Sequence, residues 1–99
     1  MILESGHLHV VPGKETEFET AFREGSFIIR RAKGYISHQL QRCIEVPGKY
    51  LLLVEWETLE DHTVGFRGSD DYQEWRTRLH HFYDPRPTIE HFNEVDLGA

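Results

Sequence analysis

Residues 50–85 read YLLLVEWETLEDHTVGFRGSDDYQEWRTRLHHFYDP, an apolar strand running into helical sequence crowded with aromatics, histidine and arginine. Tyr50–Glu57 opens Tyr-Leu-Leu-Leu-Val with no polar alternation, which predicts a strand buried on both faces. Thr58, with Asp61 three residues on, is a helix N-cap, and Leu59–Arg67 reads as a short helix that Gly68 ends. Ser69, followed by Asp70 and Asp71, starts another helix. Tyr72, Trp75, Leu79 and Phe82 form its apolar stripe, and Glu74, Arg78 and His81 lie off it. Asp84-Pro85-Arg86-Pro87 breaks that helix. Such side chains concentrated in a third of the chain predict a pocket.

Toward the N-terminus, the turn Val46-Pro47-Gly48-Lys49 joins this strand to Tyr35–Ile44, so the two should pair antiparallel. Strict alternation would put Ile36, His38, Leu40, Arg42 and Ile44 on one face. Before it, Phe18, Ala21, Phe22, Gly25, Ile28 and Ile29 recur at helical spacing from Lys14, and Gly34 supplies the stop. Acidic residues come early in that helix and Arg30, Arg31 and Lys33 late, as the helix dipole favours. Gly25 inside it predicts a kink or a close contact with the sheet. Ile2–Val11 is a first strand stopped by Pro12-Gly13. Thr88–Val95 is a last one, with Ile89, His91, Asn93 and Val95 on one face, before a tail, Asp96–Ala99, expected to fray.

The order strand, helix, strand, strand, helix, strand is that of a ferredoxin-like βαββαβ fold. The expected structure is a single α+β domain over residues 1–99: a four-stranded antiparallel sheet with helices on one face. The doubly apolar strand asks for a second layer on the other face, and a second copy of the chain is its simplest source. A homodimer is therefore expected. At 99 residues a lone domain buries only roughly two-thirds of its unfolded surface, which favours such a partner.

Composition narrows the partners. The net charge is −6 and no Lys/Arg run is long enough to follow a phosphate backbone, which argues against nucleic acid. MILESGHLHVV lacks the basic and long apolar regions of a secretion signal, and no run of about 18 apolar residues occurs, so a cytoplasmic location away from membranes is expected. The single cysteine, Cys43, reads as a small half-buried strand residue.

HLHVVPGKETEFETAF, GYISHQLQRC, LLLVEWETLEDHTVGFRGSDDYQEW and HHFYDPRPTIEHF together resemble the antibiotic biosynthesis monooxygenase domain family of dimeric α+β barrels, over nearly the whole chain. The most telling local piece is Trp56-Glu57, then a short helix, Phe66-Arg67, Ser69, Tyr72 and Trp75. The resemblance implies a dimeric α/β barrel. It also implies a range of activities: cofactor-independent quinol and anthrone monooxygenases, haem-degrading enzymes and an isomerase. Haem-degrading members resemble one another in an Asn, a Trp and an iron-ligating His; this chain has Gly6, Phe66 and Arg76 at the corresponding places. Cofactor-free oxygenation of a small aromatic quinol or anthrone is the activity expected, with no cofactor. The alternative is a dimer that only binds or isomerises a small apolar molecule.

Oxygenation without a cofactor needs a base with a pKa near neutral, a cation or donor for the resulting anion, and an apolar cavity. His38 and Arg42, two residues either side of Leu40, are candidates for base and anion-holder, and His62 is a second base candidate. Arg42 has a competing role in an ion pair with a glutamate such as Glu55. Trp56, Phe66, Tyr72, Trp75, Phe82 and Tyr83 would form aromatic walls, with His81 as a further contact. No metal site is expected: adjacent His80 and His81 diverge by about 100° on a helix, and nothing completes the strand pair His7 and His9.

Overall fold

Residues Tyr50, Leu52, Val54 and Trp56 alternate with half-buried neighbours along β3 (Lys49–Trp56), and all four are buried. In this computed structural model, which describes residues 1–98, β3 lies between β1 (Ile2–His9) and β2 (Tyr35–Arg42). β4 (Thr88–Phe92) flanks β1 on the other side, giving the order β2-β3-β1-β4 with every pairing antiparallel. This is the ferredoxin-like arrangement. Ala99, the end of the tail expected to fray, lies outside the described residues.

Helices α1 (Glu15–Arg30) and α2 (Asp70–Leu79) cover one sheet face. Phe18, Phe22, Ile28 and Ile29 of α1 and Trp75 and Leu79 of α2 are buried, as their spacing requires. Phe18 meets Tyr50 at 5.0 Å between ring centroids and Phe82 at 5.7 Å, while Phe22 meets Trp75 edge-on at 5.4 Å. Each such side chain contributes about 1.5–3 kcal/mol on burial, so this face carries most of the folding energy. Ser69 caps α2 by accepting from the Tyr72 amide at 3.1 Å, and Thr58 accepts from the Asp61 amide at 3.1 Å.

Four local features depart from the sequence pattern. A bulge between Tyr35 and Ser37 inserts one residue in β2, so Tyr35, not Ile36, shares the inner face with His38, Leu40 and Arg42. Ile36 is 43 % exposed, and Ile44, beyond the strand end, is 93 % exposed. Gly25 makes its close approach to α2, where the nearest atom to an added Cβ is Arg78 Cδ at 3.4 Å, and not to the sheet. The segment after Thr58 is π-helical over Asp61–Phe66, with the Arg67 amide reaching back five residues to the His62 carbonyl. That wider turn keeps both His62 and Phe66 buried against the sheet. Gly34 ends the α1 connection at φ +82°, where a side chain would also overlap the Asp61 carboxylate.

The second sheet face is open in the single chain, so Leu51 and Leu53 are half-buried where burial on both faces was expected. A trough of about 730 Å³ crosses all four strands there, bordered by Ser37, Leu53, Leu3 and Phe92. Ser5 Oγ, on this face, is buried with no hydrogen-bond partner among the described residues.

Candidate functional site

A pocket of about 480 Å³ lies between the inner sheet face and the helical segments that follow β3. The strands contribute Glu4, Leu52 and Ile89, which are neighbours because Gly6 pairs with Leu52 on one side and Ile89 on the other. The π-helical turn supplies His62 and Phe66, and α2 supplies Tyr72 and Trp75. Phe66 stands edge-on to Tyr72 at 5.4 Å and to Trp75 at 6.2 Å, so the aromatic wall is held by mutual packing. Arg67, Arg76, Arg86 and His80 also line the pocket.

At its strand side sits a buried polar cluster. Glu4 is 5 % exposed, and Trp56 Nε1 donates to its Oε1 at 2.9 Å. Burial pushes the Glu4 carboxyl above its ordinary value, while the Trp56 hydrogen bond and the Arg67 charge pull it partly back. His62 Nε2 lies 3.4 Å from Glu4 Oε1, its Nδ1 is 2.8 Å from His91 Nε2, and its ring stacks on Trp56 at 5.2 Å. Burial, then Arg67 and His91, depress the His62 pKa to about 3, so the imidazole is neutral at physiological pH and its contact with Glu4 is not an ion pair. The His91 pKa is lowered too, by burial and Arg67. The result is a continuous line from Glu4 through His62 to His91. Oε2 of Glu4 makes no hydrogen bond among the described residues.

Of the residues singled out from sequence, His62, Phe66, Tyr72, Trp75 and Tyr83 come together on this pocket. Trp56 does not line it: the indole is fully buried behind His62 and Glu4. Phe82 packs into the core against Phe18, and exposed His81 rests on Phe82. Its neighbour His80 lines the pocket instead, because α2 ends at Leu79 and tightens into a 3-10 turn over His80–Phe82. His38 is on the inner face of β2 but away from this pocket, with Nδ1 2.6 Å from the Tyr35 hydroxyl and its pKa lowered by burial and Arg30. Arg42 forks onto Glu19, at 2.7 Å and 3.0 Å, and not onto Glu55; Tyr50 donates to the same carboxylate at 2.6 Å. Glu55 accepts from Ser37. Among the described residues no three His, Cys, Asp or Glu side chains are grouped to hold a metal ion, and His7 and His9 lie on the open face.

Sequence reasoning passed over Glu4, His91, His80 and the three arginines as pocket residues. Ile89 and His91 do share a strand parity, so His91 was within reach of the alternation. Glu4 was obscured because β1 carries apolar residues on both parities, Leu3 on one and Leu8 on the other.

Residues 1–78 match the profile of the antibiotic biosynthesis monooxygenase family. The chain belongs to that family. A solved family protein from Bordetella bronchiseptica is 37 % identical, with a TM-score of 0.92, over 95 % of this chain and 96 % of that one. The uncharacterised protein YczJ of Bacillus subtilis is 60 % identical over 95 residues, 96 % of this chain and all of the relative. SnoaB, a cofactor-independent oxygenase from Streptomyces nogalater, superposes with a TM-score of 0.70 over 99 % of this chain and 94 % of its own. At 19 % identity that likeness is one of fold. Among the described residues of this family member, no helix is long and apolar enough to cross a membrane.

Proposed function

We propose that this pocket binds a quinol- or anthrone-type aromatic and promotes its oxygenation by O2 without a cofactor. The observation that supports it is a buried carboxyl with a raised pKa, facing an aromatic pocket and backed by a neutral imidazole. Glu4 takes the substrate's acidic proton, and Oε2, unengaged within the protein, is the atom offered to it. The electron-rich anion then passes one electron to O2. The resulting radical and superoxide join as a carbon-bound peroxide anion, which takes up a proton from solvent and loses water to leave a carbonyl on the ring. One oxygen atom stays in the product and the other leaves in water. Tyr72, whose hydroxyl makes no hydrogen bond among the described residues, offers a donor to a substrate oxygen.

The path out for the proton received by Glu4 is His62 and His91: once the carboxyl carries it on Oε1, His62 Nε2, 3.4 Å away, takes it while Nδ1–H is given to His91 Nε2. His62 thus serves as Glu4's partner. His38 and Arg42, held by Tyr35 and Glu19 outside the pocket, take no part in this reading. It also includes a homodimer across the open face, where Leu3, Leu53 and Phe92 line the trough and Ser5 Oγ awaits a partner. The test is oxygen consumption by metal-free protein with anthrone and dihydroxynaphthalenes: consumption above the protein-free rate is expected. Saturable quenching of tryptophan fluorescence by the same compounds, with no consumption, would replace the enzyme by a binding or isomerising protein.

A further inference from the structure

We infer that the pocket selects aromatics that carry a carboxylate, held by Arg67, Arg76 and Arg86 while the ring enters between Phe66, Tyr72 and Trp75. The inference rests on the pocket being the substrate site, as proposed above.

Its basis is the convergence of three unpaired cations on one pocket of an acidic chain. The net charge is −6, yet three guanidinium side chains from three separate places line one pocket: Arg67 just past the π-helical turn, Arg76 on α2, and Arg86 in the segment before β4. None forms an ion pair or a side-chain hydrogen bond among the described residues. Of the arginines that do not line it, Arg31, Arg42 and Arg78 are paired with Asp71, Glu19 and Glu74, while Arg23 and Arg30 form no ion pair among the described residues. Glu4 is the one acid lining the pocket, and it lies buried beneath, engaged by Trp56. Arg76 and Arg86 therefore meet no acid in the pocket, and Arg67 meets only the charge of Glu4. Their field reaches the neighbouring histidines: Arg76 and Arg86 add to burial in lowering the His80 pKa, and Arg67 does the same at His62 and His91.

Guanidinium is weakly hydrated, planar and able to fork onto a carboxylate through two parallel N–H donors. Three of them beside an aromatic wall match an aryl carboxylate better than a neutral arene. They also favour the phenolate that appears once Glu4 has taken a proton. An aromatic that bears both a phenolic hydroxyl and a carboxylate is thus the substrate class indicated.

The probes are hydroxynaphthoic acid and naphthol, titrated against the fluorescence of Trp75 and Trp56 in the full chain. The acid should bind at least about tenfold tighter at low salt, as hydrogen bonds from guanidinium to a charged group allow. That gap should narrow as salt screens the exposed arginines. Arg86→Gln, Arg76→Gln and Arg67→Gln should each reduce it several-fold by weakening the acid more than naphthol; all three residues are exposed, and circular dichroism checks the fold. Equal affinity for acid and naphthol, no saturable binding of either, or a preference untouched by the three substitutions overturns the inference. Because the readout is binding, preference for the acid without oxygen consumption would sustain the inference and defeat the oxygenase reading.

Discussion

Trp56 and Glu4 meet across adjacent strands, the indole Nε1 donating to the carboxyl Oε1 at 2.9 Å. The two are 52 residues apart in sequence and both buried, so the bond fixes the carboxyl at the edge of the pocket. It also stabilises the ionised form, against a burial that favours the protonated one. Trp56→Phe removes that donor. The Glu4 pKa should rise further, and the acid limb of the turnover profile should move up by about one to two pH units, from about 1.5–3 kcal/mol for a hydrogen bond to a charged group. An unmoved limb would separate Trp56 from the chemistry and leave it a core residue.

His62 sets an acid sensitivity whose sign is fixed by its surroundings. In the unfolded chain it binds a proton below 6.5; folded beside Glu4, His91 and Arg67 it stays neutral down to about 3. The unfolded state holds more protons in that window, so the stability present above 6.5 is lost as pH falls, by about 1.4 kcal/mol per unit. Glu4 acts oppositely: its contribution is complete below the ordinary 4.5 and lost as pH rises through its raised value. Urea titrations of wild type and His62→Gln should show their stability difference shrinking as pH drops below 6.5. A difference independent of pH would mean that His62 binds its proton equally well in the folded and unfolded chain.

Leu53 stands on the open face at the middle of the trough. Leu53→Glu places a charge where a second copy would dock, at a cost of several kcal/mol per interface if the charge is buried unpaired. Light scattering at micromolar concentration should find the wild type dimeric and the variant monomeric. A monomeric wild type removes the homodimer.

Ser69→Ala removes the cap of α2, the helix that carries Tyr72 and Trp75 to the pocket. The loss should be about 1 kcal/mol, or a Tm lower by about 4–8 °C in a domain of this size. Calorimetry reads it directly, and an unchanged Tm would show that packing alone defines the helix start.

The fold was legible because its signals are local and periodic. The α1 stripe from Phe18 to Ile29, the caps at Thr58 and Ser69 and the 46–49 turn each specify an element without reference to the rest. The site was legible only where it lies on such an element, as Phe66, Tyr72 and Trp75 do. A bulge is a property of strand pairing, so the shift that puts Tyr35 beside His38 and turns Ile36 outward leaves no mark in the alternation. His80 and His81 are adjacent, and the tightening of the chain after Leu79 decides which one faces the pocket. The arginines converge from a turn, a helix and a loop, and no spacing in the chain encodes that meeting.

The most direct measurement is the mass of the product formed under isotopically heavy dioxygen by metal-free wild type and by Glu4→Gln. The account predicts one heavy oxygen atom in the wild-type product. Turnover should fall about a hundredfold or more in the variant, whose carboxamide cannot take the proton, while ligand affinity stays within a few-fold. No heavy oxygen in the wild-type product, or equal turnover by the two proteins, would contradict it.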